Sequence, residues 1–320
     1  MNYKLKKISG DASYREYYRL EKNKKTSIIV FARQEKYKNL IVYSAVNKIL
    51  NKNNILAPRL LNFFVKENII EITDLGEVSF LNFIKDKKNK SKEYKKLIDL
   101  IIKMQKIKLK NNYKFKNFFR KFNKYSINEL NKETDLFFDW YIKFVIKNKS
   151  IKNIKKTLKQ ELNIIYKKIY LKNNYFIHRD FHASNIMLTN KKLSVIDSQD
   201  AIIGNPLYDV ASLIDDVRIK LPINLQNNLY NYYINNSKLK SEDKISLKND
   251  FDILSVQRNL KILGVFVRLY KRDKKPNYLK YLPYTWSLIE RRMKNPIFNK
   301  LNILFKKHLP LKKLQKLQKI

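Results

Sequence analysis

Two lobes of different construction are predicted for this chain of 320 residues. A small antiparallel sheet reaches to about residue 74, and a large, mainly helical lobe covers residues 75–320, together an α/β (α+β) fold. Three patterns lead to this expectation. Short β-prone runs broken by turn residues fill the N-terminal part, apolar residues recur at helical spacing from Leu97 onward, and three further strand-like runs gather between residues 175 and 196.

Taken in order, a hairpin is expected from Tyr3–Ile8 and residues 14–20, turning through Ser9, Gly10, Asp11 and Ala12, with residues 28–31 as a third strand. In residues 40–50, Leu40, Ile41, Ala45, Val46, Ile49 and Leu50 share one helical face, and the Asn-rich segment 51–54 ends that helix. Residues 60–65 and Ile69–Thr73 complete the sheet, which closes on the turn Asp74-Leu75-Gly76. The charge run KDKKNKSKEYKK, residues 85–96, is expected to be a solvated, flexible connection. Leu97, Ile98, Ile101 and Ile102 then continue a helix, and the aromatic cluster FKNFFRKF at 115–122 is expected to pack rather than to stack on nucleic-acid bases.

Farther along, residues 132–142, KETDLFFDWYI, read as a helix with Leu136, Trp140, Tyr141 and Phe144 turned to the core and Glu133, Asp135 and Asp139 turned to a cleft. Ile151, Ile154, Leu158, Leu162, Ile165 and Ile169 mark a long amphipathic helix. Tyr175–Ile177 and residues 186–188 and 193–196 read as strands, the last two folded together by a tight turn at Asn190, Lys191 and Lys192. Gly204, Asn205 and Pro206 turn the chain into a helix opened by Asp209, for which N-terminal capping is one role. Residues 251–270 form the clearest later helix. It contains Gly264, and because a helical glycine costs about 1 kcal/mol against alanine, a close helix approach is expected there. The basic tail 299–320, with Leu311, Leu314 and Leu317 on one face, is expected to pack.

Composition narrows the function classes. With no cysteine there is neither a disulfide framework nor a thiolate metal site, which suits a reducing cytoplasm. No run is long enough to span a bilayer and the start lacks a signal-peptide apolar stretch, so a soluble, cytoplasmic protein without a membrane span is expected. The net charge of +41 would ordinarily suggest a polyanionic partner. Lys, Asn, Ile, Tyr and Phe are enriched together along the whole chain, as AT-rich codon usage would produce. The charge therefore predicts salt-sensitive polyanion contacts and no specific nucleic-acid partner.

Residues 175–216 concentrate the chemistry. Two of only three histidines, His178 and His182, stand there with Asp180 and Asn185, and the following strands return Asp197 to the same loop. Two carboxylates and an amide at strand ends suit a hard cation of the magnesium type, and they also suit a carboxylate base. His178, Asp180 and His182, at alternate positions, raise a zinc hydrolase as a rival. The remaining histidine, His308, lies in the basic tail, so that site would lack the further ligands zinc needs.

HRDFHASN followed by VIDSQDAIIGNPLYD resembles the catalytic core of the aminoglycoside phosphotransferase superfamily, small-molecule kinases with a protein-kinase-like fold. Three more segments, SGDASYREYYRL, KETDLFFDWYI and SVQRNLKILGVFVRLYKRDKKPNYLKYLP, are similar to one branch, the bacterial amino-sugar kinases that phosphorylate N-acetylmuramate and N-acetylglucosamine at the anomeric hydroxyl. The resemblance implies Asp180 as the catalytic base and Asn185 and Asp197 as holders of Mg2+ against the phosphates of ATP. It implies Ser9, Gly10, Asp11, Ala12 and Ser13 as a phosphate loop, and Asp74 and Leu75 as the hinge beside the adenine. His178, Arg179 and His182 would support the catalytic loop, Asp209 would steady it from behind, and Glu133, Asp135 and Asp139 would accept sugar hydroxyls. One departure stands out. The third strand, IIVFARQ, lacks the lysine many kinases place there, which leaves Arg15, Arg19 or Arg33 to supply the charge. A catalytically weak nucleotide-binding scaffold, an aminoglycoside or choline kinase, and a basic RNA-binding protein are the rival readings.

Overall fold

A computed structural model describes residues 3–8, 15–32, 38–64, 66–109, 112–115, 118–146 and 151–309. The chain packs into two compact units, residues 1–123 with 175–203, and residues 124–174 with 204–320. This division by packing is a different cut from the lobe boundary expected near residue 74.

The first unit is built on a five-stranded sheet of order β1-β2-β3-β5-β4. Its strands are β1 (Tyr3–Ile8), β2 (Glu16–Lys22), β3 (Lys25–Phe31), β4 (Leu60–Phe64) and β5 (Ile69–Thr73), and every neighbouring pair is antiparallel. Asn23 and Lys24, at φ of 50° and 62°, form the two-residue turn between β2 and β3, a geometry that matches the twist of a hairpin. Helix α1 (Lys38–Lys52) lies on this sheet because Leu40 and Tyr43 close a core with Val30, Ile70 and Ile72, while Ile41 and Ala45 meet Phe115.

Helices α2 (Phe80–Lys85) and α3 (Ser91–Gln105) follow, and α3 corrects the reading of residues 85–96 as a flexible connection. Its first turns take up the second half of that run, since Lys and Glu are good helix formers and the fully buried Tyr94 packs its ring edge-on against Phe80 at 5.6 Å. Lys90 also closes the preceding helix, donating to the carbonyls of Ile84 at 2.8 Å and Lys85 at 3.1 Å. The aromatic cluster belongs to a hairpin of β6 (Asn112–Phe115) and β7 (Phe118–Lys121), with Phe115 and Phe122 buried, as packing requires.

The chain re-enters this unit as β8 (Tyr175–Ile177), followed by the hairpin β9 (Ile186–Thr189) and β10 (Lys192–Val195). Asn190 and Lys191, with φ of 49° and 63°, make its two-residue turn. Backbone bonds from Leu188 to the Val78 carbonyl at 2.9 Å and from Val195 to the Leu56 carbonyl at 2.8 Å stitch the hairpin to the segments that follow β5 and α1.

The second unit is helical: α4 (Ile127–Leu136), a π-helical turn (Phe137–Ile142), α5 (Lys143–Val145), α6 (Ile151–Tyr166), α7 (Leu207–Ile214), α8 (Ile223–Asn236), α9 (Lys244–Lys271), α10 (Leu282–Arg292) and α11 (Asn299–His308). The buried α9 is its spine and packs against α4, the π turn, α7 and α10. Gly264 lies where a Cβ would stand 2.2 Å from the carbonyl carbon of Leu136, so the expected close approach is present and its partner is backbone. Asp215 and Arg292 form a buried bidentate pair of 2.9 and 2.7 Å, with the Arg292 guanidinium over the Phe251 ring at 4.7 Å. At the start of α7, Asn205 Oδ1 accepts from the Leu207 amide at 2.9 Å. Among the described residues no helix is long and apolar enough to cross a membrane. Leu311, Leu314 and Leu317 lie outside the described residues.

Candidate active site

Strand β8 delivers the chain into a loop whose order is set by its own polar groups. Arg179 takes a left-handed conformation, φ 72°, which for a non-glycine residue marks a backbone held by its surroundings. His178 is fully buried and its Nε2 donates to the Ile196 carbonyl at 3.0 Å, fixing its proton on that nitrogen. The Asn185 amide donates to the Asp180 carbonyl at 3.0 Å and to His182 Nε2 at 3.3 Å. His182 must then carry its proton on Nδ1, which faces Ser184 Oγ at 2.9 Å. With both amide hydrogens of Asn185 committed, its Oδ1 is the atom left to face a cation. Arg179 reaches across to the Asp200 carbonyl at 3.3 Å.

Asp197 arrives from β10 and is tied to this loop by the bond from the Ile196 amide to the Asn185 carbonyl at 3.0 Å. It too is left-handed, φ 63°, a conformation Asp tolerates better than most, and a 3-10 turn over Ser198–Asp200 follows it. Burial pushes its carboxyl up to about 6, and the nearby Asp180 charge pushes the same way, while Gln199 and Arg15 oppose the rise. A desolvated carboxylate beside another carboxylate favours a bound cation, and Asn185 adds a second hard oxygen, so the donor set fits magnesium. The zinc alternative fits poorly. Among the described residues no group of three His, Cys, Asp or Glu side chains is arranged to hold a metal, and the His182 ring and His178 Nε2 are engaged as described.

Several residues that sequence reasoning passed over complete the floor of the site. Gln199 Nε2 donates to Asp197 Oδ1 at 2.9 Å, and its Oε1 accepts from Arg15 Nη1 at 3.2 Å. Ser198 Oγ donates to Asn47 Oδ1 on α1 at 2.6 Å, and Arg15 lies over the ring of Tyr43, one helical turn before Asn47, at 5.9 Å. The available signal was Asn47 itself, a polar residue one turn after Tyr43 and buried to 1% exposure. Helix α1 contains no acidic residue and β3 carries its lysine only at the exposed first position, so the Lys–Glu pair of many kinases has neither member on these elements.

Arg19, one of the arginines expected at the phosphates, is engaged at the end of β5. Its guanidinium is bidentate with Asp74, at 2.6 and 3.2 Å, and also binds Glu77 and the Gly76 carbonyl, so its charge is matched at the end of β5. Asp74 accepts from the Gly76 amide at 2.9 Å, and Gly76 has φ 92°, which explains the glycine. Leu75 offers its carbonyl to Thr189 Oγ1 at 2.8 Å, which joins the hinge candidate to the end of β9. Ser9, Gly10, Asp11, Ala12 and Ser13, and Arg33 as well, lie outside the described residues.

The remaining candidates belong to the second unit, and the three acids expected on one cleft-facing surface do not share one environment. Glu133 is buried, and its carboxylate accepts from Tyr125, from Gln257 at 3.2 Å, from Tyr208 at 3.4 Å and from Lys261 at 3.0 Å. Asp135 and Asp139 are half-exposed and paired with Lys159 and Lys155, each at 2.7 Å. Glu133 and Asp135 both belong to the regular helix α4 and stand two residues apart, about 200° round its axis, so one faces the interior and the other the surface; the π turn over Phe137–Ile142 follows them. Phe137, Phe138, Tyr141 and Ile142 are the buried set there, and Trp140 and Phe144 are only half-buried. Asp209 is fully buried in the first turn of α7.

A family model described as "Phosphotransferase enzyme family" matches residues 4–241. The N-acetylmuramate/N-acetylglucosamine kinase of Pseudomonas aeruginosa is 26% identical over 289 residues, 88% of this chain and 81% of that protein. Its namesake in Neisseria meningitidis serogroup B is 23% identical over 290 residues, 88% and 84% of the two chains. Among solved structures, a thermostable mutant of an aminoglycoside phosphotransferase superposes with a TM-score of 0.63 at 12% identity, covering 90% of this chain and 94% of its own. The ethanolamine kinase of Plasmodium vivax gives 0.62 at 14% identity, with 93% and 84% covered. A spectinomycin phosphotransferase in complex with ADP and spectinomycin gives 0.55 at 15% identity, with 95% and 93% covered. At these identities the solved structures share the fold: an antiparallel sheet toward the N-terminus and helices beyond it.

Proposed function

The chain belongs to the phosphotransferase enzyme family, kinases acting on a hydroxyl group, and from that premise we propose that its donor is ATP with magnesium and its acceptor the anomeric hydroxyl of N-acetylmuramate or N-acetylglucosamine. The observation that carries the reading is the loop in which Asn185 bonds the Asp180 backbone while Asp197 is tied alongside. A base and two hard oxygen donors are what phosphoryl transfer asks of a protein, since the rest is positioning. Asn185 Oδ1 and the Asp197 carboxylate would hold magnesium, which when bound neutralises phosphate charge. Asp180 accepts the proton of the sugar hydroxyl as that oxygen bonds the γ-phosphorus and the bond to the ADP oxygen breaks. The relatives' shared name supports the amino-sugar acceptor, and the ADP carried by a structural neighbour supports the nucleotide.

The test is a transfer assay with labelled ATP against N-acetylmuramate, N-acetylglucosamine, choline, ethanolamine and an aminoglycoside, followed by locating the phosphate by phosphorus–proton correlation. A sugar 1-phosphate formed with magnesium and abolished by EDTA is expected. Transfer to choline or the aminoglycoside alone would replace the acceptor. No transfer to any acceptor would leave a nucleotide-binding scaffold as the better reading.

A further inference from the structure

The buried helix α9 carries three polar residues in succession, Gln257, Arg258 and Asn259, none more than 3% exposed. Each keeps an atom without a hydrogen-bond partner: Gln257 Oε1, Arg258 Nη1 and Asn259 Oδ1. Ser212 Oγ on α7, the helix packed against α9, is in the same condition and fully buried. All four residues belong to the second unit.

The arginine differs from its neighbours, because they are matched and it is not. Ser255, Arg258 and Lys261 stand three residues apart and share one side of α9. Ser255 donates to the buried Asp215, which Arg292 neutralises at 2.7 Å, and Lys261 donates to Glu133 at 3.0 Å. Each of those carboxylates has its own cation, and among the described residues no carboxylate pairs with Arg258. Ser212 stands between Tyr208, which donates to Glu133, and Asp215, so it lies on the α7 face that meets this row. A guanidinium withdrawn from water without a counter-ion is costly to keep, and it holds an anion more strongly than an exposed one does. Its planar fork matches a carboxylate. The same charge repels cationic acceptors such as choline, ethanolamine and aminoglycosides, and it gains little from a neutral sugar. N-acetylmuramate differs from N-acetylglucosamine by a lactyl ether that carries a carboxylate.

Resting on the amino-sugar kinase reading above, we infer that Arg258 is the specificity-determining residue for the acceptor, pairing with the lactyl carboxylate of N-acetylmuramate. Gln257 Oε1, Asn259 Oδ1 and Ser212 Oγ are the oxygens beside it that accept from sugar hydroxyl and amide hydrogens. N-acetylmuramate is on this inference the preferred acceptor and N-acetylglucosamine the secondary one.

The experiment measures initial rates of the full chain with Mg·ATP on N-acetylmuramate, its methyl ester and N-acetylglucosamine. The ester keeps the lactyl group and the anomeric hydroxyl and loses only the charge. Wild-type protein is expected to favour the acid over the ester by about 10- to 100-fold in kcat/KM, the loss of a charge-assisted bond. Arg258→Met should lower kcat/KM on N-acetylmuramate by the same factor, through KM, and leave N-acetylglucosamine within about twofold. Arg258→Lys, which keeps the charge without the fork, should recover part of the preference for the acid. Equal use of acid and ester by wild-type protein would overturn the inference alone, and so would an equal loss of both sugars in Arg258→Met, which would make the arginine a shaping residue. The acid–ester comparison needs no variant, so it decides the matter even where Arg258→Met does not fold. Wild-type protein that phosphorylates neither sugar would remove the amino-sugar reading itself, and this inference with it.

Discussion

Asp180 and Asn185 are joined through the Asn185 amide and the Asp180 backbone carbonyl, yet their side chains are assigned different partners, so they should fail differently. Asp180→Asn keeps size and removes charge; kcat is expected to fall by about 10² to 10⁴ with Mg·ATP affinity within about twofold of wild type. Asn185→Ala removes both the oxygen proposed to hold the cation and the bonds that hold the loop, so rate and Mg·ATP affinity should fall together. Initial rates beside nucleotide titrations separate the two, and a wild-type kcat in Asp180→Asn would displace Asp180 as base. At this scale the sequence was legible where residues lie close along the chain, as Asp180 and Asn185 do. Arg15 and Gln199 are 184 positions apart, so no spacing rule could pair them. The engagement of Arg19 by Asp74 and Glu77 was hidden for the same reason, since 55 and 58 positions separate them.

Apolar periodicity located most of the elements. The short β-prone runs of the sheet, the tight turn at Asn190 and Lys191, and the long helix carrying Gly264 were all readable in the sequence. What periodicity could not reveal is a change of period. The π turn over Phe137–Ile142 shifts the helical faces partway along, so Trp140 and Phe144, read as core, are only half-buried, while Phe137 and Phe138 are buried. Glu133, which precedes that turn in α4, is enclosed by Tyr125, Tyr208, Gln257 and Lys261, partners distant in sequence. Gly264 offers a test with an informative sign. By helix propensity alone Gly264→Ala should stabilise the protein by about 1 kcal/mol. With the Leu136 carbonyl carbon 2.2 Å from the new Cβ, α9 and the backbone at the end of α4 must part, and a loss of about 3 kcal/mol is expected in urea unfolding. A neutral or stabilising outcome would mean that the helices are free to separate at that point.

Over the whole molecule, stability should depend on a few buried charges more than on the excess of surface lysine, which exposed pairs neutralise at little gain. Asp215 is the clearest case. Burial would raise its carboxyl, but the Arg292 charge and bonds outweigh burial and hold it below the usual carboxylate range. A carboxyl depressed in the folded state adds stability that is complete above its unfolded value, about 4, and is lost as pH falls through the folded value. Arg292→Met strands Asp215 in the core and should cost about 3–5 kcal/mol near neutral pH. Without Arg292, burial raises the Asp215 carboxyl, so on going from pH 8 to about 3 the gap between wild type and variant should already narrow above about pH 4, where protonation relieves the stranded acid, and go on closing below about 4 as the wild type loses its depressed carboxylate. Urea unfolding across that range checks it, and a gap that widened in acid would contradict the pairing. None of this was legible in sequence, because 77 positions separate the two residues and each reads alone as one more charge in a charge-rich chain.

The first unit is discontinuous along the chain, comprising residues 1–123 and, after the intervening 124–174, residues 175–203. That arrangement acts in time as well as in space. During synthesis the sheet, α1 and the hinge candidate leave the ribosome first, and they wait for the hairpin that bonds to Leu56 and Val78 until 124–174 has been made. Until then those carbonyls and the apolar face around α1 lack a native covering, a long-range closure of the kind that slows folding and exposes nascent chains to chaperones. The segment that carries the proposed base, Asp180, is thus also the unit's closing piece, so a ribosome that stalls before residue 175 releases a sheet that is unfinished and lacks that residue.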